Sequence, residues 1–210
     1  MSWRSGDWDK EKSFAKELAA FVDISSSGNH VSVLTFNHEA SLKIKFPEYN
    51  TEEAFYGAVD RFPSPTGGTN IYKALRTGLD EMFTLENGMR SDSGKMMVLI
   101  TDGVQRDDSK FEEIATEYQD RDIKLVIVGV GYVDEESLRK LVASSEDLYI
   151  SSNFDKLLEE VTTNLESVIC TGKLSEIIYS VQFSIRFNYT AAMQILIVLY
   201  RKLNFFSNSL

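Results

Sequence analysis

Two unbroken apolar runs constrain the fold of this chain more than any other feature of its sequence. Met96–Ile100 and Leu125–Val130 contain no polar side chain, and polar turn residues bound both runs. A strand that is apolar on both faces is usually covered on both faces, as in a parallel sheet packed between helices. The two runs therefore predict an α/β protein.

Helical periodicity and strand-like alternation fill the rest of the first 170 residues. Two strands, 31–36 and 42–46, lie close enough in sequence to form an antiparallel hairpin, and Leu148–Ile150 is a short edge strand. Helices are predicted at 8–22, 51–61, 71–82, 109–120, 134–143 and 154–169. This order predicts a doubly wound, mostly parallel sheet with helices on both faces and one antiparallel edge.

Composition excludes several classes of function. The chain has 210 residues and a formal net charge of -10, which argues against a nucleic-acid partner because such a protein needs a basic face. One cysteine and two histidines cannot supply a structural zinc site, and no disulfide can form within the chain. No apolar stretch reaches about 18 residues, so no membrane span is expected.

The last forty residues differ from the rest in charge. Four basic residues and one acidic residue give residues 171–210 a net charge of +3, so residues 1–170 carry -13. A domain boundary is therefore placed after Cys170. Within the tail, residues 181–189 alternate as a strand does, and 193–200 is a second strand or a buried helix.

Oxygen-bearing side chains occur at two places where a doubly wound sheet holds its sites, beyond the carboxyl ends of the strands. Asp102 follows the apolar run 96–100, and Thr69 stands just before the helix predicted to start near Ile71. Carboxylate and hydroxyl oxygens suit a hard divalent cation. Each residue alone is also ordinary, because Asp-Gly is a common turn and Thr a common helix cap.

Together, these segments resemble the von Willebrand factor type A domain. The blocks that carry the resemblance keep the family's order over residues 1 to about 170: Trp8–Phe14, Asn29–Asn37, Gly67–Leu75, Val98–Gly103, Ile127–Gly131 and Asn153–Leu157. The chain is most similar to the extracellular A domains of matrilins and of fibril-associated or type VI collagens.

The resemblance implies a metal-ion-dependent adhesion site in which Thr69 and Asp102 are ligands for Mg²⁺ or Mn²⁺. The family's third part, an Asp-x-Ser-x-Ser motif after the first, central strand, is absent ahead of the first helix, and so is that strand. We therefore expect an N-terminally truncated domain with a partial site that binds metal weakly or not at all. The strands on either side of the missing one would expose unpaired edges.

The tail resembles nothing in the family, and two interpretations stay open for it. It is translated from beyond a normal exon end, or it folds onto the body as extra sheet. We do not expect it to fill the vacant central position, because a strand arriving from the far C-terminus would have the wrong connection.

The function implied by the resemblance is that of a non-enzymatic, extracellular protein-binding module with a matrix partner such as collagen. By the resemblance, Cys170 would be half of a disulfide whose partner this chain lacks; an interchain thiol and a free cysteine without a role are the alternatives. The alternative is a degenerate α/β hydrolase or nucleotide-binding domain, for which Asp107 and Asp108 beside Asp102 are the nearest thing to paired carboxylates. Divalent-dependent binding to a matrix protein would favour the first class, and turnover of a small substrate the second.

Overall fold

A six-stranded sheet forms the centre of the protein in the computed structural model, which describes residues 7–22, 24–64, 67–105 and 107–157 and the backbone of 193–200. Its strands are β1 (His30–Phe36), β2 (Ala40–Ile44), β3 (Gly94–Thr101), β4 (Ile123–Val130), β5 (Leu148–Ser151) and β6 (Met193–Tyr200). They lie in the order β2-β1-β6-β3-β4-β5. All neighbours are parallel except β1 and β2, so the predicted α/β class and the antiparallel edge are confirmed.

Helices cover both faces of this sheet. They are α1 (Asp7–Ala20), α2 (Glu52–Asp60), α3 (Ile71–Thr77), α4 (Phe111–Asp120) and α5 (Glu135–Arg139). The apolar side chains of α1 and α2 form one buried cluster with alternate residues of β1, β3 and β4. Those of α3, α4 and α5 form a second cluster with the intervening strand residues. This division explains why the runs Met96–Ile100 in β3 and Leu125–Val130 in β4 are apolar on both faces.

Strand β6 occupies the central position that the sequence analysis expected to be vacant. It pairs in parallel with β1 from His30↔Gln194 to Phe36↔Tyr200, and with β3 from Gly94↔Met193 to Leu99↔Val198. The expectation that the tail would not fill this position is therefore wrong.

The physical reason lies in the connection and in the edges of the neighbouring strands. Parallel neighbours need a crossover of about a dozen residues or more, and 41 residues separate Ser151 from Met193. Without β6, β1 and β3 would each expose a row of backbone donors and acceptors. The eight-residue strand β6, which is apolar except for Gln194, pairs with both rows at once.

The helix predicted at 71–82 divides into α3 and a π-helical turn at Gly78–Met82. Buried Tyr118 accounts for the local crowding here, because its hydroxyl donates to the Leu75 carbonyl at 2.8 Å and fills the space where a Gly78 Cβ would stand. The helix predicted at 134–143 is shorter, and the one at 154–169 is helical over 154–157, beyond which the residues are not described. The predicted boundary after Cys170 also lies outside the described residues.

Candidate functional site

The carboxyl ends of β1, β3 and β4 meet at one edge of the sheet, which we call the carboxyl edge. Asp102 leaves β3 at this edge and is only 3% exposed. The preceding Thr101 is fully buried, and its hydroxyl accepts from the Gly103 amide at 3.3 Å. This turn fixes the backbone on either side of Asp102, so a buried carboxylate lies where the sequence predicted one.

The loop that carries Thr69 is attached to the same edge. The amide of Asn70 donates to the carbonyl of Asn37, directly after β1, at 2.8 Å. The Asn70 side-chain oxygen accepts from the Lys73 amide at 2.9 Å and so caps α3. These two bonds hold half-buried Thr69 at the carboxyl edge, which also carries Asp102.

His38 is a residue of this edge that the sequence analysis missed. Its exposed imidazole lies against Gly68, where an added Cβ would stand 2.2 Å from the ring Cε1. Gly67 has φ +127°, a backbone conformation that residues other than glycine rarely adopt. The Gly67-Gly68 pair thus lets His38, in the β1–β2 hairpin, lie beside Thr69. The sequence signal that could have identified His38 was a histidine in the predicted hairpin turn together with this glycine pair.

Asp107 and Asp108 do not form a catalytic pair. Asp108 accepts from Lys140 Nζ and from Ser137 Oγ, both at 2.7 Å, and these bonds lower the pKa of its carboxyl group. Asp107 accepts from the hydroxyl and amide of Ser109, which lower its pKa as well. Both carboxyl groups therefore stay ionised near neutral pH, whereas a general acid would need a raised pKa. Asp108 connects its loop to α5 and Lys140, and Asp107 bonds within its own loop.

An exposed aromatic side chain stands at the end of β4 on the same edge. Tyr132 is 86% exposed. It follows Gly131, which has φ +76° and whose amide donates to the Ser151 carbonyl at 2.8 Å. The backbone before Tyr132 is therefore fixed to β5, while its ring is available to solvent.

The letters Asp-x-Ser-x-Ser do occur once, at 23–27, a match that the sequence analysis passed over. This segment lies between α1 and β1, and Ile24 bridges to Asn29 just before β1 begins. It is thus at the amino end of β1, the opposite edge from Thr69 and Asp102. Asp23 itself lies outside the described residues, and the match is not the adhesion motif that the family requires.

The described residues do not by themselves make a metal site. Mg²⁺ and Mn²⁺ prefer several oxygen ligands, and the carboxyl edge offers Asp102 and Thr69. The nearby Asn70 oxygen caps α3, and the loop carboxylates of Asp107 and Asp108 are bonded elsewhere. Within the described ranges, no three His, Cys, Asp or Glu side chains are grouped so that they could hold an ion.

Two cavities of the described residues bear on what this site could hold. The one at this edge, between α3, α5 and the loop after Asp102, has essentially no room for a water molecule. A larger hollow of about 450 Å³ lies between β2 and the π-helical turn, lined by Lys43, Lys45, Asp80, Glu81 and others. Neither combines a sizeable volume with Thr69 and Asp102, as a substrate pocket at this site would require.

The fold and the site define a class of protein: an α/β domain with a polar site at the carboxyl edge of a mostly parallel sheet. Residues 1–164 match the model of the von Willebrand factor type A domain. The chain belongs to that family.

Relatives occur among extracellular matrix proteins. The collagen alpha-1(XII) chain of Notophthalmus viridescens is 26% identical over 174 residues, which are 81% of this chain and 18% of that protein. Human matrilin-3 is 25% identical over 174 residues, which are 80% of this chain and 35% of that protein. The chain thus spans about a third of these relatives or less.

A solved structure supports the fold. Proximal thread matrix protein 1 from the mussel byssus, described with a zinc-occupied MIDAS motif, has a TM-score of 0.69 at 24% identity over 79% of this chain and 41% of that one. A divalent metal is therefore known in this fold. Among the helices described here, none is long and apolar enough to cross a bilayer. Cys170 is outside the described residues, and its role as half of a disulfide stays a prediction.

Proposed function

We propose that this chain is a non-enzymatic protein-binding module of the extracellular matrix type that binds its partner through the carboxyl edge. The residues assigned to the contact are Tyr132, His38 and Thr69, and buried Asp102 lies at the same edge of the sheet. By analogy with the matrilin and collagen relatives, the partner is a matrix protein such as a collagen and the location is extracellular.

The observation that carries this proposal is the exposure of Tyr132. Tyr132 is 86% exposed, so a partner that covers it removes a large apolar surface from water. This burial favours binding. Tyrosine is also among the residues that dominate binding energy in protein interfaces. The fixed Gly131 backbone limits the ordering cost of binding, because the position of the Tyr132 main chain is already set.

An enzymatic function has less support. A hydrolase or nucleotide-binding domain of this class would use a cleft at the carboxyl edge, and the cavity there is small. The loop carboxylates that could have served as an acid–base pair have lowered pKa values and local partners.

The test is binding of the full chain to immobilised collagen, measured by biolayer interferometry with Mg²⁺ and with EDTA. We expect Tyr132→Ala to weaken binding at least tenfold, about 1.4 kcal/mol, because it removes the exposed aromatic contact.

Leu85→Ala is the matched control, because Leu85 is 74% exposed and lies near the hollow beside β2, away from the carboxyl edge. An equal loss in both variants, or no collagen binding under either condition, would overturn the proposal.

A further inference from the structure

The two outer strands of the sheet differ in how well they are protected against pairing with a further strand. β2 carries the exposed Lys43, and its register with β1 shifts between Val33 and Leu34. A lysine and a bulge on an edge strand both hinder such pairing. β5 has no charged residue and pairs with β4 in an unbroken register. Among the described strands, β5 is therefore the edge that is open to another strand.

Ile150 offers both of its backbone groups on the outer edge of β5. The Ser151 carbonyl accepts from the Gly131 amide at 2.8 Å, so the backbone groups of Ser151 point toward β4. Because successive residues of a strand alternate, the groups of Ile150 point away from β4 and those of Tyr149 point toward it. In the described part of the chain, no residue bonds to the outward N–H and C=O of Ile150.

The Ile150 side chain is positioned for contact with another surface. It belongs to a residue that is 39% exposed. Its Cδ1 would lie 2.8 Å from a Cβ at Gly129, and Val133 Cγ2 would lie 2.9 Å from the same point. The lack of a side chain at Gly129 therefore lets Ile150 and Val133 pack over β4. A strand added to β5 would remove part of this apolar edge from water.

We propose that β5 is a self-association edge, where a second copy of this chain pairs in antiparallel orientation about a two-fold axis through Ile150. A two-fold axis requires a residue that pairs with itself. In an antiparallel hydrogen-bonded pair, the opposing residues exchange both N–H···O bonds. Ile150 has both groups available, whereas the Leu148 amide already donates to the Ser145 carbonyl. This inference goes beyond the proposed function and does not depend on it.

The charges near β5 are compatible with a second copy in this register. Glu146 and Asp147 directly precede the strand. Counted from the two-fold axis, they lie level with Phe154 and Asn153 of the second copy, which are uncharged. Asp147 is also paired with Lys124 of its own chain at 2.9 Å. The pairing thus places no like charges opposite each other, an arrangement that would be destabilising.

Sedimentation velocity of the full chain at about 10–500 μM tests the proposal, with dithiothreitol present so that Cys170 cannot link two chains. The paired edge is short, so we expect a weak dimer with a dissociation constant on the order of 100 μM. Ile150→Lys should weaken the dimer at least tenfold, because it places two like charges beside the axis. Ile150→Val should retain the dimer, and circular dichroism verifies that each variant is folded.

Leu85→Lys is the matched control for Ile150→Lys. Leu85 is an aliphatic residue that is 74% exposed near the hollow beside β2, at the other edge of the sheet. This variant should dimerise as the unaltered chain does. Persistence of the dimer in Ile150→Lys, an equal loss in Leu85→Lys, or an unaltered chain that stays monomeric throughout would overturn the proposal.

Hydrogen exchange followed by NMR tests the strand pairing without any variant. The outward Ile150 amide should exchange at least twofold more slowly at about 500 μM than at about 50 μM, whereas the Tyr149 amide, which points toward β4, should not change. Exchange at Ile150 that is independent of concentration would contradict the pairing. Protection that requires collagen while the chain stays monomeric would assign the edge to a matrix partner and also overturn the proposal. Failure to bind collagen would count against the proposed function alone.

Discussion

Strands β4 and β6 both pair in parallel with β3, one on each side, but they reach these positions by different routes. β4 follows β3 through one crossover that contains α4, whereas β6 comes after every other strand and enters between β1 and β3. Both segments have eight residues and are apolar except for one polar residue at the second position, Lys124 in β4 and Gln194 in β6. The comparison teaches that an apolar pattern specifies a strand that can be buried, while the neighbours of that strand depend on which edges the rest of the chain leaves open.

The largest expected effect comes from interrupting either strand. Ile197→Pro in β6 and Val126→Pro in β4 each remove a ladder hydrogen bond from the sheet interior, at a cost of about 3 kcal/mol or more. Both variants should lose cooperative unfolding in urea, followed by circular dichroism.

Deletion of residues 203–210 is the control for a general effect of altering the tail, and it should leave the transition intact. If only Val126→Pro unfolds the protein, β6 is dispensable and the comparison fails.

A smaller effect is expected on the face that α3 and α4 cover. Tyr118→Phe removes the hydroxyl that donates to the Leu75 carbonyl at 2.8 Å in a fully buried site. The free energy of unfolding should fall by about 1–2 kcal/mol, because a buried hydrogen bond is lost without a replacement.

Tyr56→Phe is the matched control for Tyr118→Phe. Tyr56 is half-buried, and its exposed bond to Glu52 is 3.3 Å long. The urea midpoint of the Tyr56→Phe variant should hardly differ from that of the unaltered chain. Equal losses in the two variants would show that the Tyr118 hydroxyl has no special role.

Substitutions at Gly67 and Gly68, beside His38, distinguish an effect on stability from an effect on binding. Gly67→Ala places a side chain at φ +127° and should cost about 1–3 kcal/mol in unfolding free energy. Gly68→Ala meets only the end of the exposed His38 ring, which can move away, so its melting temperature should fall less. Under the proposed function, Gly68→Ala should still weaken collagen binding, because it displaces His38 from the carboxyl edge. Unchanged binding would exclude His38 from the contact.

The smallest expected effect is a change in the pH dependence of stability, which differs between groups on the two sides of the sheet. His30 opens β1 opposite Gln194 of β6, and burial together with the charge of Arg90 lowers its pKa below 6.5. A lowered folded pKa means that the stabilising contribution is present above the unfolded pKa and is lost as the pH falls through the folded value. Stability should thus decline between about pH 7 and pH 5, and His30→Gln should flatten that decline.

The ion pair between Arg76 and Glu117, on the other side of the sheet, affects stability in a different pH range. The Arg76 guanidinium lowers the pKa of Glu117 below 4.5, so its contribution is present above that value and is lost only in more acidic solution. Urea unfolding at a series of pH values distinguishes the two. A decline between pH 7 and pH 5 that survives His30→Gln would assign it to another group.

The sequence predicted most of the local structure, since the elements with clear periodicity were found. The helix predicted at 51–61 is α2, capped by Thr51, and the β1–β2 hairpin is antiparallel as predicted. The π-helical turn after α3 was not predictable from periodicity, and Tyr118, which lies against its first residue Gly78, is 40 residues further along the chain.

The site was predictable only in part for a related reason. Thr69 and Asp102 were recognised because the family motifs that contain them are contiguous in sequence. The contact between His38 and Gly68 joins separate loops. The position of β6 depends on edges contributed by β1 and β3, which no local pattern encodes.

The late position of β6 in the chain has a consequence for synthesis on the ribosome. The five other strands emerge first, and the sheet cannot be completed until Tyr200 has left the exit tunnel. At about 5–20 residues per second, the stretch between Ser151 and Tyr200 takes roughly 2–10 s to translate. During that interval β1 and β3 lack their shared neighbour, and each has an unpaired edge with which a foreign strand could pair.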